Sequence, residues 1–111
     1  MELVSLCIDC EIDCIQLALL PIVHDSAWSE CGQVLRDSGI TVLSGMLEAS
    51  GEDYSTLETI AQTGGLRQDA MWPSTEENAK RVADIASQMQ LPLVTFHAGF
   101  IPEEQCDERT K

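Results

Sequence analysis

The sequence predicts an α/β fold built on parallel strands, and three observations carry that prediction. Short, continuous apolar runs at 13–20, 40–47 and 93–96 read as buried strands. A helix-period segment joins the first two with tight connections, which makes a strand–helix–strand unit whose strands must run parallel. A second helix-period segment stops at Pro92, directly before the third run. The order is therefore helix, strand, helix, strand, loop with a short helix, helix, strand.

Taken in order, Leu3, Leu6, Cys7 and Cys10 fall at i, i+3, i+4 and i+7, so the chain opens within an amphipathic helix. Asp13 to Leu20 is too continuous for a half-exposed strand and too short for a helix, and a loop from Pro21 to Asp25 follows. Asp25 or Ser26 can cap a helix in which Trp28, Cys31, Val34 and Leu35 share a face, with Ser38-Gly39 as its stop. The strand Ile40 to Leu47 comes next. From Glu48 to Pro73 the pattern is irregular, with a short helix from Ser55 to Gln62 opened by the capping box Ser55-x-x-Glu58 and stopped by Thr63-Gly64-Gly65. Ser74-x-x-Glu77 is a second box, followed by a helix to about Gln90 that buries Ala79, Val82, Ala83, Ala86 and Met89 and keeps Lys80 and Arg81 outside. Residues 1–102 form one domain-sized body, whereas 103–111 is charged, lacks periodicity and reads as a frayed or truncated tail.

Composition narrows the partners. Six basic against nineteen acidic residues give a formal charge of −13, which repels nucleic acid and anionic membranes. No apolar run reaches the roughly 20 residues of a spanning helix, and Asp9 and Glu11 interrupt the N-terminal apolar stretch where a targeting segment would be continuous. Five cysteines occur, at 7, 10, 14, 31 and 106. Cys7-Ile8-Asp9-Cys10 fits C-x-x-C, but zinc needs two further ligands and a redox pair needs a strand-to-helix context. Reduced thiols used as small hydrophobes are the preferred reading, and they place the chain in the cytoplasm.

The strongest candidate site residue is His97, delivered by the run Leu93-Val94-Thr95-Phe96 to the C-terminal rim of a parallel strand. A satisfied structural histidine is the competing reading. Gly99 lets backbone approach a ligand closely or simply turns the chain off the strand. Trp72 can stack on a ligand or plug the loop, and Arg67 can clamp an anion or sit in solvent. His24 is read as a surface or capping residue. Glu52-Asp53 is an acid pair on a loop, where adjacent side chains usually face water. Ser44 and Ser55 have no base partner that would make a nucleophile.

Gly39-Ile40-Thr41-Val42-Leu43-Ser44-Gly45-Met46, Gly51-Glu52-Asp53-Tyr54-Ser55-Thr56-Leu57-Glu58-Thr59-Ile60, Thr63-Gly64-Gly65 and Leu93 through Phe100 together resemble the sugar phosphate isomerase/epimerase family of xylose isomerase-like TIM barrels, over residues 12 to 102. The resemblance implies a partial (β/α)8 barrel holding the second, third and fourth strands. It further implies a site at their C-terminal ends, where a sugar or sugar-like hydroxyketone undergoes metal-assisted proton transfer next to a carbonyl. His97 is then the catalytic candidate, with His97, Gly99 and Trp72 against the substrate. A divalent metal serves the full-length family, but its ligands come mainly from later strands, so none of this chain's residues is assigned to metal and tight binding is not expected. Gln16 stands where many relatives carry a glutamate.

A whole barrel needs around 200 residues or more, about twice this chain. Three strands alone leave open edges and an uncovered apolar sheet face, which favours self-association. The rival reading is therefore a non-catalytic remnant or interaction module. An endonuclease-type phosphodiesterase is disfavoured by the acidic charge.

Overall fold

The computed structural model describes residues 2–100, so the predicted tail and Cys106 lie outside the described residues. The elements are α1 (Glu2–Asp9), β1 (Cys14–Ala18), α2 (Leu20–His24), α3 (Cys31–Asp37), β2 (Thr41–Leu47), α4 (Leu57–Thr63), α5 (Trp72–Gln88) and β3 (Val94–Phe96), with single 3-10 turns at Ser26–Trp28 and Asp69–Met71. Three parallel strands form one sheet in the order β1-β2-β3. The described residues divide into two compact units, 2–47 with 78–95, and 48–77 with 96–100.

In the first unit, every strand follows a helix that ends by the same device. Glu11, Gly39 and Gln90 adopt positive φ (56°, 78° and 57°) just beyond α1, α3 and α5. The next amide then reaches back five residues: Ile12 N–H to Cys7 O, Ile40 N–H to Leu35 O and Leu91 N–H to Ala86 O, at 2.8–2.9 Å. These bonds satisfy carbonyls that a helix end otherwise leaves unpaired, and they turn the chain sharply toward the sheet.

β1 and β2 pair Cys14 with Thr41 and Ile15 with Val42, then skip a residue to pair Gln16 with Ser44, Leu17 with Gly45 and Ala18 with Met46. Leu43 is the extra residue of this bulge and is 54% exposed. Gly45 N–H donates to Leu93 O at 3.1 Å, tying β2 to the segment that leads into β3. A Cβ on Gly45 would run into the Leu19 side chain, which is fully buried, so the glycine makes room for that leucine. Leu17, Leu35, Ile40, Leu47, Val82 and Ala86 complete the core of this unit with Cys7 and Cys31. A polar row crosses all three strands: the Gln16 amide donates to Ser44 Oγ at 3.1 Å and to Thr95 Oγ1 at 2.7 Å, on exposed positions.

The second unit is mostly connection. Thr56 caps α4, its hydroxyl accepting from Thr59 N–H while Thr59 Oγ1 accepts from Thr56 N–H, both at 3.1 Å. Buried Thr75 accepts from Ser50 N–H at 3.2 Å, pinning the start of the connection to the first turns of α5.

Several local expectations are corrected. The loop at Pro21 is the helix α2, because a proline in the first helical turn surrenders no needed donor. The helix expected from Ser26 is a 3-10 turn capped by Asp25, then a separate α3, so Trp28 and Cys31 do not share a continuous helix face. Thr56 and Thr59, one residue on from Ser55 and Glu58, make the capping box of α4. α5 starts at Trp72, before the predicted box; Ser74 instead donates its hydroxyl to Met71 O. Ala83 is exposed although the helical stripe included it. Of the predicted buried thiols, Cys7 and Cys31 are buried and Cys10 and Cys14 are exposed.

Candidate functional site

The side chain that organises the second unit is Glu52, whose position the sequence left facing water. Its carboxylate is only 10% exposed and its Oε1 accepts from Gly65 N–H at 2.6 Å and from the Tyr54 hydroxyl at 2.8 Å. The same oxygen lies 3.5 Å from His97 Nδ1, and Tyr54 Oη lies 3.3 Å from that nitrogen. Burial pushes the Glu52 carboxyl up, but the hydrogen bonds from Gly65, Tyr54, His97 and the Ala49 N–H outweigh it and hold the group below the ordinary carboxylate range. The hydrogen bond to Glu52 in turn pushes the Tyr54 phenol up, with a little help from desolvation and the charges of Glu52 and Glu48. The result is an ionised, anchored carboxylate beside a half-exposed imidazole (46% exposed).

Glycines create the space for it. A Cβ on Gly64 would stand 3.2 Å from His97 Cε1 and 2.6 Å from Ile60 O. Gly65 has φ +80° and lies against Gly99 and Ala98 backbone so closely that any side chain would collide with them. Leu66 N–H donates to Ala98 O at 3.3 Å, which locks the two segments together. Thr63-Gly64-Gly65 is thus more than a helix stop: it is the groove into which His97-Ala98-Gly99 is laid. The ring of His97 meets that of Phe100 edge-on, centroids 6.1 Å apart, and Arg67 donates to Phe100 O at 2.6 Å.

The predicted residues are distributed as follows. His97 and Gly99 lie in this groove. Trp72, 36% exposed, lines an open pocket of about 480 Å³ with Leu66, Arg67 and Ala98. Asp53 is not a partner of Glu52 in the cluster, because its carboxylate accepts from Ser55 N–H in a local turn and is held low by the Ser55 hydroxyl and amide. His24 is exposed at the end of α2, in the first unit. Glu52 and Tyr54 are the residues that sequence reading did not select. The available signal was the pair of glycines at 64 and 65, which leaves a backbone N–H open to a buried acceptor, but nothing in the spacing says which of the many acidic residues supplies it.

The thiols are outside this cluster. Hydrogen bonding to Asp13 raises the Cys14 thiol and burial raises Cys31, which keeps both protonated and poor nucleophiles. Among the described residues, no three His, Cys, Asp or Glu side chains converge so as to hold a metal ion, and no helix is long and apolar enough to cross a membrane.

No family model matches the chain, and no curated protein matches it by sequence. A solved structure does: the crystal structure of a xylose isomerase domain protein from Planctomyces limnophilus aligns with 96% of this chain at a TM-score of 0.78 and 25% identity. This chain spans 40% of the length of that one. The fold is accordingly a xylose isomerase-like partial (β/α) barrel, with three of its parallel strands present.

Proposed function

We propose that the chain carries part of the active site of a sugar phosphate isomerase/epimerase-like protein, with His97 as the group that binds a substrate oxygen or moves a proton next to the carbonyl. The observation that supports this reading is the pairing of His97 with the anchored Glu52 carboxylate just past the C-terminal end of a parallel strand, where barrels of this kind do their chemistry. Gly99 serves packing and not ligand approach, because the space a side chain would take there is filled by Gly64 O and Arg67; the Trp72 indole offers a flat apolar face of the sort that sugar rings stack on. A small sugar or sugar-like hydroxyketone suits these contacts, and the formal charge of −13 disfavours nucleic acid and anionic lipid as partners. The described residues do not by themselves make a site for the divalent metal of the full-length family, and what His97 supplies is a group that can bind substrate oxygen or move a proton.

The test restores the missing strands of the barrel, since the chain is expected to be inactive alone, and follows solvent-deuterium incorporation next to the carbonyl of candidate aldoses and ketoses by NMR with divalent metal present. Incorporation should exceed the uncatalysed rate and fall about 10²-fold or more in His97→Gln, the usual weight of a general base. No incorporation by the restored barrel, or equal incorporation by its His97→Gln variant, overturns the reading.

A second reading is favoured by the sheet itself: the chain as an interaction module that buries its open face or edges against another copy. β1 and β3 each have one neighbouring strand among the described residues, and Leu43 and Leu93 are 54% and 50% exposed. Concentration-dependent sedimentation that Leu43→Lys abolishes would support it, and a monomer at all concentrations would remove it.

A further inference from the structure

The hydrogen bonds around His97 fix which of its ring nitrogens carries the proton. Two groups face Nδ1, Glu52 Oε1 at 3.5 Å and Tyr54 Oη at 3.3 Å. An ionised carboxylate can only accept. The Tyr54 hydroxyl has a single hydrogen, and it is committed to Glu52 at 2.8 Å, the shorter of its two contacts. Tyr54 therefore also meets the imidazole as an acceptor. With acceptors alone at Nδ1, a hydrogen must sit on that nitrogen, shared between them. In the neutral ring, Nε2 is then left with its lone pair, and it has no hydrogen-bond partner among the described residues.

We infer that Glu52 and Tyr54 are positioning residues that hold His97 as its Nδ1–H tautomer and so make Nε2 the proton-accepting atom of the site. The catalytic consequence rests on the isomerase-like reading above; the tautomer itself does not. In that reaction the substrate C–H bond breaks, its electron pair stays on the substrate as the enediolate, and the proton forms a bond to Nε2. The imidazolium so produced faces the Glu52 carboxylate through Nδ1–H and returns the Nε2 proton to the former carbonyl carbon, while the substrate's own hydroxyl proton passes to the former carbonyl oxygen and the new carbonyl forms where that hydroxyl stood. Gly64 adjoins the same device, because a Cβ there would crowd the ring, 3.2 Å from Cε1 and 3.5 Å from Nδ1.

The experiment is a two-bond ¹H–¹⁵N correlation spectrum of the ¹⁵N-labelled protein without substrate, at about pH 8, above the ordinary imidazole value of about 6.5. The chain has two histidines, so His24→Gln assigns the signals. The expected result is Nδ1–H for His97, shifting to the Nε2–H form usual for free histidine when Glu52→Gln and Tyr54→Phe are combined. Tyr54→Phe alone keeps the Glu52 bonds to Gly65 and Ala49, guards against loss of the local fold, and should give a mixture. Finding Nε2–H in the unmodified protein, or unchanged Nδ1–H in the combined variant, overturns the inference. Nδ1–H without deuterium incorporation would instead remove the isomerase-like reading and leave the tautomer assignment standing.

Discussion

A side chain at Gly65 has no space and no permitted backbone angle. Its φ of +80° is a conformation L-residues adopt only at a cost, and its Cβ would collide with Gly99 backbone. Gly65→Ala should therefore destabilise the second unit by about 2 kcal/mol or more, read from urea denaturation followed by Trp72 fluorescence. Glu52 makes a second residue-scale prediction. Its carboxyl lies below the ordinary value of 4.5 in the folded chain, so its contribution to stability is complete above that value and is lost as pH falls through the lower, folded one. Denaturation midpoints should drop below about pH 4.5, and less steeply in Glu52→Gln, with Asp53 supplying part of the remaining slope. An identical slope in the variant would show that the carboxylate is not anchored as described. His97 and Glu52 mark the limit of what the sequence makes legible. His97 was legible because a strand, a polar side chain and a glycine follow one another along the chain. Glu52 was not, because its partners are 13 and 45 residues away and only the folded loop brings them to one oxygen.

At the scale of elements, helix ends carry more information than helix faces. Gly39 was legible as a stop, and the structure places it at positive φ. Glu11 and Gln90 occupy the same position without the residue that suits it, and no local rule selects them. The left-handed conformation costs a non-glycine residue about 1–2 kcal/mol, while glycine loses about 0.4–1 kcal/mol through its freer unfolded chain. Gln90→Gly should thus raise stability by about 0.5 kcal/mol, visible as a higher denaturant midpoint at unchanged slope; a lower midpoint would contradict the geometry. The apolar runs mark where the strands lie and overshoot their ends, since Asp13, Leu19 and Leu20 lie outside β1 and Ile40 outside β2. Burial misled there: Leu19 is as apolar and as buried as any strand residue, yet it leads into α2. Propensity also misplaced the start of α5, because a proline at its second residue looks like a break and acts as a beginning.

For the whole molecule, like charge is the dominant electrostatic fact. With a formal charge of −13, self-repulsion opposes the folded state. Raising salt from about 0.01 M to about 0.1 M shortens the screening length from about 30 Å to about 10 Å and should raise the thermal midpoint. A midpoint that falls would show that specific ion pairs outweigh the general repulsion. The row formed by Gln16, Ser44 and Thr95 has a further consequence, and it concerns time. Gln16 and Thr95 are separated by 79 residues, while Gln16 and Ser44 are separated by 28. Closing the longer loop costs more entropy, and contacts of that span slow folding. β1, α3 and β2 can therefore assemble first as a local unit, and β3 joins when most of the chain has already been ordered. Until then water meets the second Gln16 donor, which lies on an exposed position, so the last of the described strands to arrive is the one that carries the chain on to His97.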